Sequence, residues 1–287
     1  MRRSLRLFAA PVVMAVALPS AVAVPIQEGK MVTFEARSEK VQAYLARPAV
    51  AGFYPGVVVI HEWWGLNDQI KGVAERLAEQ GYVAIVPDLY RGKLGTDAGF
   101  AHELMRGLNE NWAVDVIGAA ADWLRSMDAQ ETRRRKGERM AVATLGFCMG
   151  GRLSLATALK GKDIQAAVMY YGSVETDKEA LRPLQAPLLG IFGDEDHGIP
   201  LDQIKSFEAA LKEAGKDASI RIYRGVGHAF FNESRPSYER EAAHDSWQVT
   251  EAFLREKLSA PSGAPPAGQG KRTAPPPPPE GDENPNN

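Results

Sequence analysis

The chain has 287 residues, of which 45% are apolar and 24% are charged, and its formal net charge is −2. This size suits one large domain with a well-filled core and is short for two domains of ordinary size. The slight negative charge and a pI near 6.3 give no reason to expect binding to nucleic acid or to an anionic membrane.

The first 23 residues have a composition of their own. Three arginines among the first six residues precede an apolar stretch from Leu7 to Leu18, and Ala21-Val22-Ala23 follows. A basic start, a short apolar stretch and a small-x-small site predict a signal peptide over residues 1–23, and the stretch is too short to span a bilayer. A buried N-terminal helix is the alternative. We therefore expect a secreted or periplasmic protein, free of the membrane once the signal is removed.

The other end of the chain is rich in proline. Residues 261–287 hold 9 of the 19 prolines, including five in a row from Pro275 to Pro279. Such a segment buries too little apolar surface to offset the entropy of ordering, which predicts an extended, disordered tail. A proline-rich docking segment is the functional alternative. The folded domain is expected over residues 25–260.

Strand and helix patterns alternate within this domain. Met31 to Ala46 has the alternation of an opening β-hairpin, and Pro55 to Ile60 is a continuous apolar run typical of a strand buried on both faces. Further strands are predicted at Tyr82 to Val86, Met140 to Leu145, Ala167 to Tyr170, Leu188 to Phe192 and Ile220 to Tyr223, and helices at Ile70 to Leu77, at Trp112 to Leu124, after Cys148, at Leu201 to Ala214 and at Tyr238 to Leu258. Repeated β-α units predict an α/β fold with a mainly parallel twisted sheet flanked by helices on both faces. Ligands bind such sheets beyond the carboxyl ends of the strands.

One strand end carries the only cysteine. Gly146-Phe147-Cys148-Met149-Gly150-Gly151 lies between a predicted strand and a predicted helix, and its glycines allow a sharp turn with close backbone approach. A thiolate at a helix N-terminus is stabilised, so the position suits a nucleophile. A buried structural cysteine beside packing glycines is the alternative. A single cysteine excludes an internal disulfide.

Two later strand ends supply partners for a nucleophile. Gly193-Asp194-Glu195-Asp196 follows one apolar strand, and Gly225-Val226-Gly227-His228 follows the next. The chain order nucleophile, acid, histidine is that of α/β-hydrolases. A histidine accepts the proton of the thiol while a carboxylate fixes the tautomer of the imidazole. Spacing alone leaves both Asp194 and Asp196 open as the acid.

These segments resemble the dienelactone hydrolase (carboxymethylenebutenolidase) family of the α/β-hydrolase fold. The resemblance covers roughly Val41 to Leu258 and is carried by His61-Glu62, two tryptophans and Gly65, by P-D-L-Y at Pro87 to Tyr90, by G-F-C-M-G-G, by Tyr170-Tyr171-Gly172, by D-H-G-I-P from Asp196 and by G-H-A-F-F from Gly227. It implies cleavage of a small-molecule ester or lactone by a Cys148-His228-Asp196 triad. It favours Asp196 over Asp194, and it implies that Glu62 contacts the resting thiol and helps to form the thiolate.

The resemblance also implies the surroundings of the nucleophile. The backbone N–H groups of Trp63 and Met149 would form the oxyanion hole. The pocket would be walled by aromatic side chains, although large aromatic residues are more often plain core: Trp63, Trp64, Tyr90, Tyr171 and Phe230.

Two substrate-binding arginines of the family are altered in this sequence. Arg91, taken as substrate-binding, is displaced by one position after P-D-L-Y, and Asn232 stands four residues after the histidine, with Arg235 nearby but out of register. Asparagine does not replace bidentate capture of a carboxylate by arginine. The change affects the binding of dienelactone itself as substrate. It does not affect the reaction class, which is hydrolysis of an ester or lactone.

No cofactor or metal is expected, because His61, His197 and His244 show no paired ligand spacing and are interpreted as structural. The protein is expected to act as a monomer. Three rival functions stay open: a general carboxylesterase or thioesterase on the same triad, a redox-sensing thiol protein, and a binding protein that has kept the fold. The redox hypothesis is weakened because the sequence has no second cysteine to act as the resolving cysteine that such sensors use.

Overall fold

The computed structural model describes residues 23–131 and 139–259, with side chains described outside 129–138. Residues 1–22 of the predicted signal peptide and the whole proline-rich tail lie outside the described residues. Among the helices of the described residues, none is both long and apolar enough to cross a membrane.

Fifteen elements follow one another in the described part of the chain. The strands are β1 (Lys30–Ala36), β2 (Glu39–Ala46), β3 (Gly56–Ile60), β4 (Val83–Pro87), β5 (Val142–Phe147), β6 (Ala166–Tyr170), β7 (Leu188–Gly193) and β8 (Ala218–Tyr223). The helices are α1 (Asp68–Glu79), α2 (Ala98–Gly107), α3 (Glu110–Glu131), α4 (Met149–Leu159), α5 (Lys178–Leu181), α6 (Leu201–Glu213) and α7 (Arg240–Leu258). Every strand and helix predicted from the sequence is present, while α2 and α5 were not predicted.

The eight described strands form one sheet in the order β1-β2-β4-β3-β5-β6-β7-β8. The β1–β2 and β2–β4 pairs are antiparallel, and the pairs from β4 through β3 and β5 to β8 are parallel. The prediction of a mainly parallel sheet is therefore confirmed. All five residues of β3 are buried, as the continuous apolar run predicts for a central parallel strand.

The two faces of the sheet carry separate cores. Val57 and Val59 point into the core that includes apolar side chains of α1, α6 and α7. Val58 and Ile60 point into the core that includes those of α3. Successive side chains of a strand alternate between faces, so β3 contributes to both cores. Helices on both faces, as predicted, leave the carboxyl edge of the parallel strands as the place where loops gather.

Candidate active site

A single residue makes the turn from β5 into α4. Cys148 has φ 53° and ψ −117°, a conformation that residues other than glycine rarely adopt. The turn needs glycine at two neighbouring positions. A Cβ on Gly146 would lie 1.9 Å from the carbonyl oxygen of Gly150, and one on Gly150 would lie 2.3 Å from that of Ile60. The strained turn therefore presents the half-buried Cys148 at the carboxyl edge of the sheet, where the sequence predicts it.

His228 connects Cys148 to a carboxylate. Its Nδ1 lies 2.7 Å from Asp196 Oδ2, and its ring lies near enough to the Cys148 side chain for the thiol to raise the pKa of the imidazole. Asp194 is engaged elsewhere, because its Oδ1 accepts the backbone N–H of Gly225 at 2.7 Å. Of the two candidate acids, the geometry thus brings Asp196 to the histidine. The thiol, the imidazole and the carboxylate form a continuous relay across three strand ends.

The relay stabilises a positive imidazole. Burial by itself would lower the pKa of His228, but the hydrogen bond to Asp196 and the neighbouring side chains of Cys148 and Asp196, with their negative charges, raise it to about 10. Asp196 is almost fully buried, whereas 39% of the His228 side chain is exposed. Such an imidazole holds a proton beside the sulfur at neutral pH, and this arrangement suits a thiolate nucleophile.

Glu62 lies buried at the end of β3 and is not free in its pocket. Its Oε1 accepts the Tyr171 hydroxyl at 3.0 Å, and its Oε2 accepts the Asn232 side-chain amide at 2.7 Å. Burial raises the pKa of Glu62, although these two hydrogen bonds and the positive charges of His228 and Arg235 oppose the rise. The resemblance implies a contact with the resting thiol; the hydrogen bonds of this carboxyl go instead to Tyr171 and Asn232.

The two backbone amides predicted for an oxyanion hole occupy suitable elements. Met149 is the first residue of α4, so its N–H group has no acceptor within the helix. The group lies at the positive end of the helix dipole, which favours a negatively charged partner. Trp63 follows Glu62 in the tight turn after β3, in which the N–H of Gly65 donates to the Glu62 carbonyl at 3.2 Å. Met149 follows Cys148 directly, and the end of β3 that leads to Trp63 packs closely against Gly150 of α4.

The predicted aromatic wall divides into two groups. Tyr90 is buried beside the nucleophile, with its hydroxyl donating to Met149 Sδ at 3.3 Å, and burial together with the negative charge of Cys148 raises its pKa. The Tyr171 ring packs against His228 with centroids 5.1 Å apart. Phe230 is fully buried and packs behind Tyr171, at 5.6 Å between centroids, so it supports the wall from the core.

The tryptophan pair lies on the more open side. Trp63 and Trp64 are half-buried, with ring centroids 5.1 Å apart. The unpredicted helix α2 brings His102 to this pair, 6.3 Å from the Trp63 ring. No motif pointed to His102, because its position depends on where the loop before α2 turns.

Arg91 is held away from the relay. Its guanidinium lies 2.9 Å from Glu39 on β2 and 4.1 Å from the centroid of the Trp112 ring. Its backbone has φ 52°, a left-handed turn that directs the chain after Tyr90 towards this edge. The structure therefore does not bring Arg91 together with Cys148 and His228.

The three histidines that the sequence analysis interprets as structural occupy separate places. His61 is fully buried and bonded to backbone groups, and burial lowers its pKa. His197 and His244 are exposed, and His244 lies 3.2 Å from Gln248. Within residues 23–131 and 139–259, no cluster of three or more His, Cys, Asp or Glu side chains could hold a metal ion.

Comparisons with known proteins identify the family of this chain. The model of the dienelactone hydrolase family matches residues 41–258. The chain is 37% identical to "Protein usf" of Aquifex pyrophilus over 80% of this chain and 100% of that protein. It is 34% identical to a "Putative carboxymethylenebutenolidase" of Yersinia pestis, over 79% and 88% of the two chains. The crystal structure of a "Putative Dienelactone Hydrolase" from Klebsiella pneumoniae superposes with a TM-score of 0.70 at 29% identity, over 80% of this chain and 99% of that one. The chain belongs to the dienelactone hydrolase family and is a hydrolase of ester or lactone bonds.

Proposed function

We propose that this protein is an exported hydrolase that cleaves small-molecule esters or lactones through Cys148, His228 and Asp196, with a thioester acyl-enzyme. The observation that carries the proposal is the relay, in which His228 Nδ1 lies 2.7 Å from Asp196 and the imidazole is close enough to Cys148 for the thiol to raise its pKa. The strained backbone at Cys148 supports it, because strain of this kind persists where function needs it.

In the first half of the reaction the thiolate attacks the substrate carbonyl carbon and a carbon–sulfur bond forms. The carbonyl electron pair moves onto oxygen, and the N–H groups of Trp63 and Met149 donate hydrogen bonds to this oxyanion. When the carbonyl re-forms, the bond to the leaving oxygen breaks, and the proton on His228 passes to the alcohol or enol. A thioester on Cys148 remains.

In the second half a water molecule replaces the leaving group. The neutral His228 takes a proton from the water, whose oxygen attacks the thioester carbon. The same two amides stabilise the second oxyanion, and its collapse breaks the carbon–sulfur bond. The carboxylic acid leaves, and the thiolate and the protonated imidazole are restored with Asp196 still ionised.

A general carboxylesterase or thioesterase on the same triad is the second candidate, and one observation favours it. At the family's second arginine position this chain has Asn232, whose amide is committed to Glu62, while Arg91 is committed to Glu39. A substrate carboxylate therefore lacks the pair of arginines that would hold it, so esters without a carboxylate are the expected substrates.

The experiment that tests the proposal measures hydrolysis of aryl esters, thioesters and unsaturated lactones by the mature domain. A Cys148→Ala variant is the control. Turnover that disappears in the control supports the thiol mechanism, and accumulation of an acyl-enzyme, seen by mass spectrometry after rapid quenching, supports the thioester. If the control turns over as fast as the wild type, the triad proposal is wrong.

Export is the remaining part of the proposal. It is supported by the basic start, short apolar stretch and Ala21-Val22-Ala23 site at the N-terminus. Expression of the full chain in a Gram-negative host, followed by fractionation and mass measurement, tests it. A periplasmic product that begins near residue 24 is expected, and a cytoplasmic product retaining Met1 would contradict export.

A further inference from the structure

The orientation of the Asn232 side chain is fixed by its neighbours. Its Oδ1 lies 3.0 Å from the backbone nitrogen of Ser234 and 2.7 Å from the Ser234 hydroxyl. A backbone N–H can only donate, so the atom that receives it must be the amide oxygen. The amide nitrogen of Asn232 therefore faces Glu62 and donates to Oε2 at 2.7 Å.

Both oxygens of Glu62 are thus engaged by fixed donors. Tyr171 supplies the second one, and Glu62, Asn232 and Tyr171 are only 5%, 1% and 1% exposed. Moving the carboxyl towards Cys148 would leave a buried amide and a buried hydroxyl without partners, which is costly. The thiol, by contrast, lies near enough to His228 to raise the pKa of the imidazole. The proton acceptor for Cys148 in this chain is consequently the imidazole.

Further contacts on either side of Trp63 hold the turn that contains it. His61 Nε2 accepts the backbone N–H of Leu89 at 3.3 Å, so Nδ1 carries the proton and donates to the Glu62 carbonyl at 2.6 Å. The Arg235 guanidinium lies 3.5 Å from the centroid of the Trp64 ring. Trp63 lies between two residues, Glu62 and Trp64, that are held by the loop after His228.

We propose that Asn232 is a positioning residue, and that the Glu62 it holds anchors the Trp63 amide of the oxyanion hole without taking the proton of Cys148. The inference rests on the proposed function, because it concerns the same site. It assigns to Asn232 and Glu62 a contribution to the stabilisation of the oxyanion. Loss of that contribution would lower kcat and would leave formation of the thiolate unchanged.

Two substitutions at Glu62 separate an anchor from a base. Glu62→Gln cannot accept a proton at neutral pH, but its carbonyl oxygen accepts the Asn232 amide and its own amide donates to the Tyr171 hydroxyl oxygen. Glu62→Ala removes both contacts. We expect Glu62→Ala to lower kcat by about tenfold or more with little change in KM, and Glu62→Gln to recover most of that loss. Equal losses in the two variants would overturn the proposal.

The rate of Cys148 alkylation by iodoacetamide against pH supplies a readout independent of turnover. The charge of Cys148 acts on the pKa values of His228, Tyr90 and Tyr171, and these three groups are unchanged in both Glu62 variants. The pH midpoint of Cys148 alkylation is expected to be the same in Glu62→Gln as in the wild type. A rise in the midpoint would show that Glu62 forms the thiolate and would overturn the proposal.

Asn232→Ala tests the positioning residue itself. We expect kcat to fall by about tenfold while KM and the alkylation midpoint stay near the wild-type values. A kcat within about twofold of the wild type, in a variant whose thermal midpoint shows that it is folded, would overturn the role of Asn232. If the wild type cleaves no ester, or Cys148→Ala is equally active, it is the proposed function that fails. The alkylation curves still report whether Glu62 acts on the thiol in that case.

Discussion

Asp196 Oδ2 lies 2.7 Å from His228 Nδ1, while Asp196 Oδ1 accepts the backbone N–H groups of Gly198 and Ile199 at 2.8 and 3.2 Å. The loop after β7 therefore fixes which oxygen faces the histidine. Because the carboxylate accepts from Nδ1, the proton of the neutral imidazole stays on Nδ1 and leaves Nε2 free to accept one from the nucleophile or from water.

Asp196→Asn is expected to lower kcat by about a thousandfold or more. The asparagine oxygen would take the two backbone donors, so its NH₂ group would face His228 Nδ1 and force the proton onto Nε2. Steady-state hydrolysis of an activated ester measures the loss.

Asp194→Asn is the matched control for this substitution. Asp194 accepts the Gly225 N–H, which an asparagine oxygen also accepts, so kcat should change only about twofold. Similar losses in the two variants would argue that Asp196 contributes through the loop alone.

The strand-end residues could be predicted from the sequence because each follows an apolar run that has one interpretation as a buried parallel strand. Contacts between loops could not be predicted from the sequence. Asn232 meets Glu62 across 170 positions, and the meeting depends on left-handed backbone at Ala229, with φ 61°, that no local pattern indicates. Arg91 turns towards Glu39 for a comparable reason, since its direction depends on the backbone of the loop after β4.

The raised pKa of His228 predicts how stability depends on pH. A protonated group whose folded pKa, about 10, exceeds its unfolded value of 6.5 stabilises the fold fully below pH 6.5, and this stabilisation is lost as the pH rises towards 10. The free energy of unfolding should therefore decline between neutral pH and about pH 10 more steeply in the wild type than in His228→Gln. Urea denaturation across that range measures both slopes.

The other titratable groups are present in both proteins, so the difference between the two slopes reports His228 together with its neighbour Cys148. Parallel curves would show that the imidazole is not stabilised as a cation in the folded protein. The raised pKa would then have no support.

Gly146→Ala is expected to disrupt the turn that presents Cys148. The added Cβ would lie 1.9 Å from the Gly150 carbonyl oxygen, and this is backbone that cannot move aside without shifting the start of α4. Overpacking of this kind costs about 1–3 kcal/mol or more, and the displaced nucleophile should lose most of its activity. Urea denaturation and ester hydrolysis measure the two effects.

Gly72→Ala in α1 provides the contrast, because a Cβ at Gly72 meets nothing within 4 Å. Removing a glycine from a helix interior should raise the free energy of unfolding by about 0.5–1 kcal/mol and leave hydrolysis unchanged. A Gly146→Ala protein as stable and as active as Gly72→Ala would contradict the close packing of the turn.

Arg91→Ala is expected to affect stability more than catalysis. The Arg91 guanidinium is shared between Glu39 and the Trp112 ring, both outside the relay, so its removal should lower the denaturation midpoint slightly through lost stacking and a lost ion pair. Its kcat/KM for an ester that carries a free carboxylate should stay within about twofold of the wild type, since discrimination by a bidentate arginine would cost far more. Glu39→Gln, which weakens the ion pair and keeps the stacking, should show a smaller change in the midpoint and the same kinetics. A tenfold loss confined to carboxylate-bearing esters in Arg91→Ala would instead mean that the side chain leaves Glu39 when substrate binds.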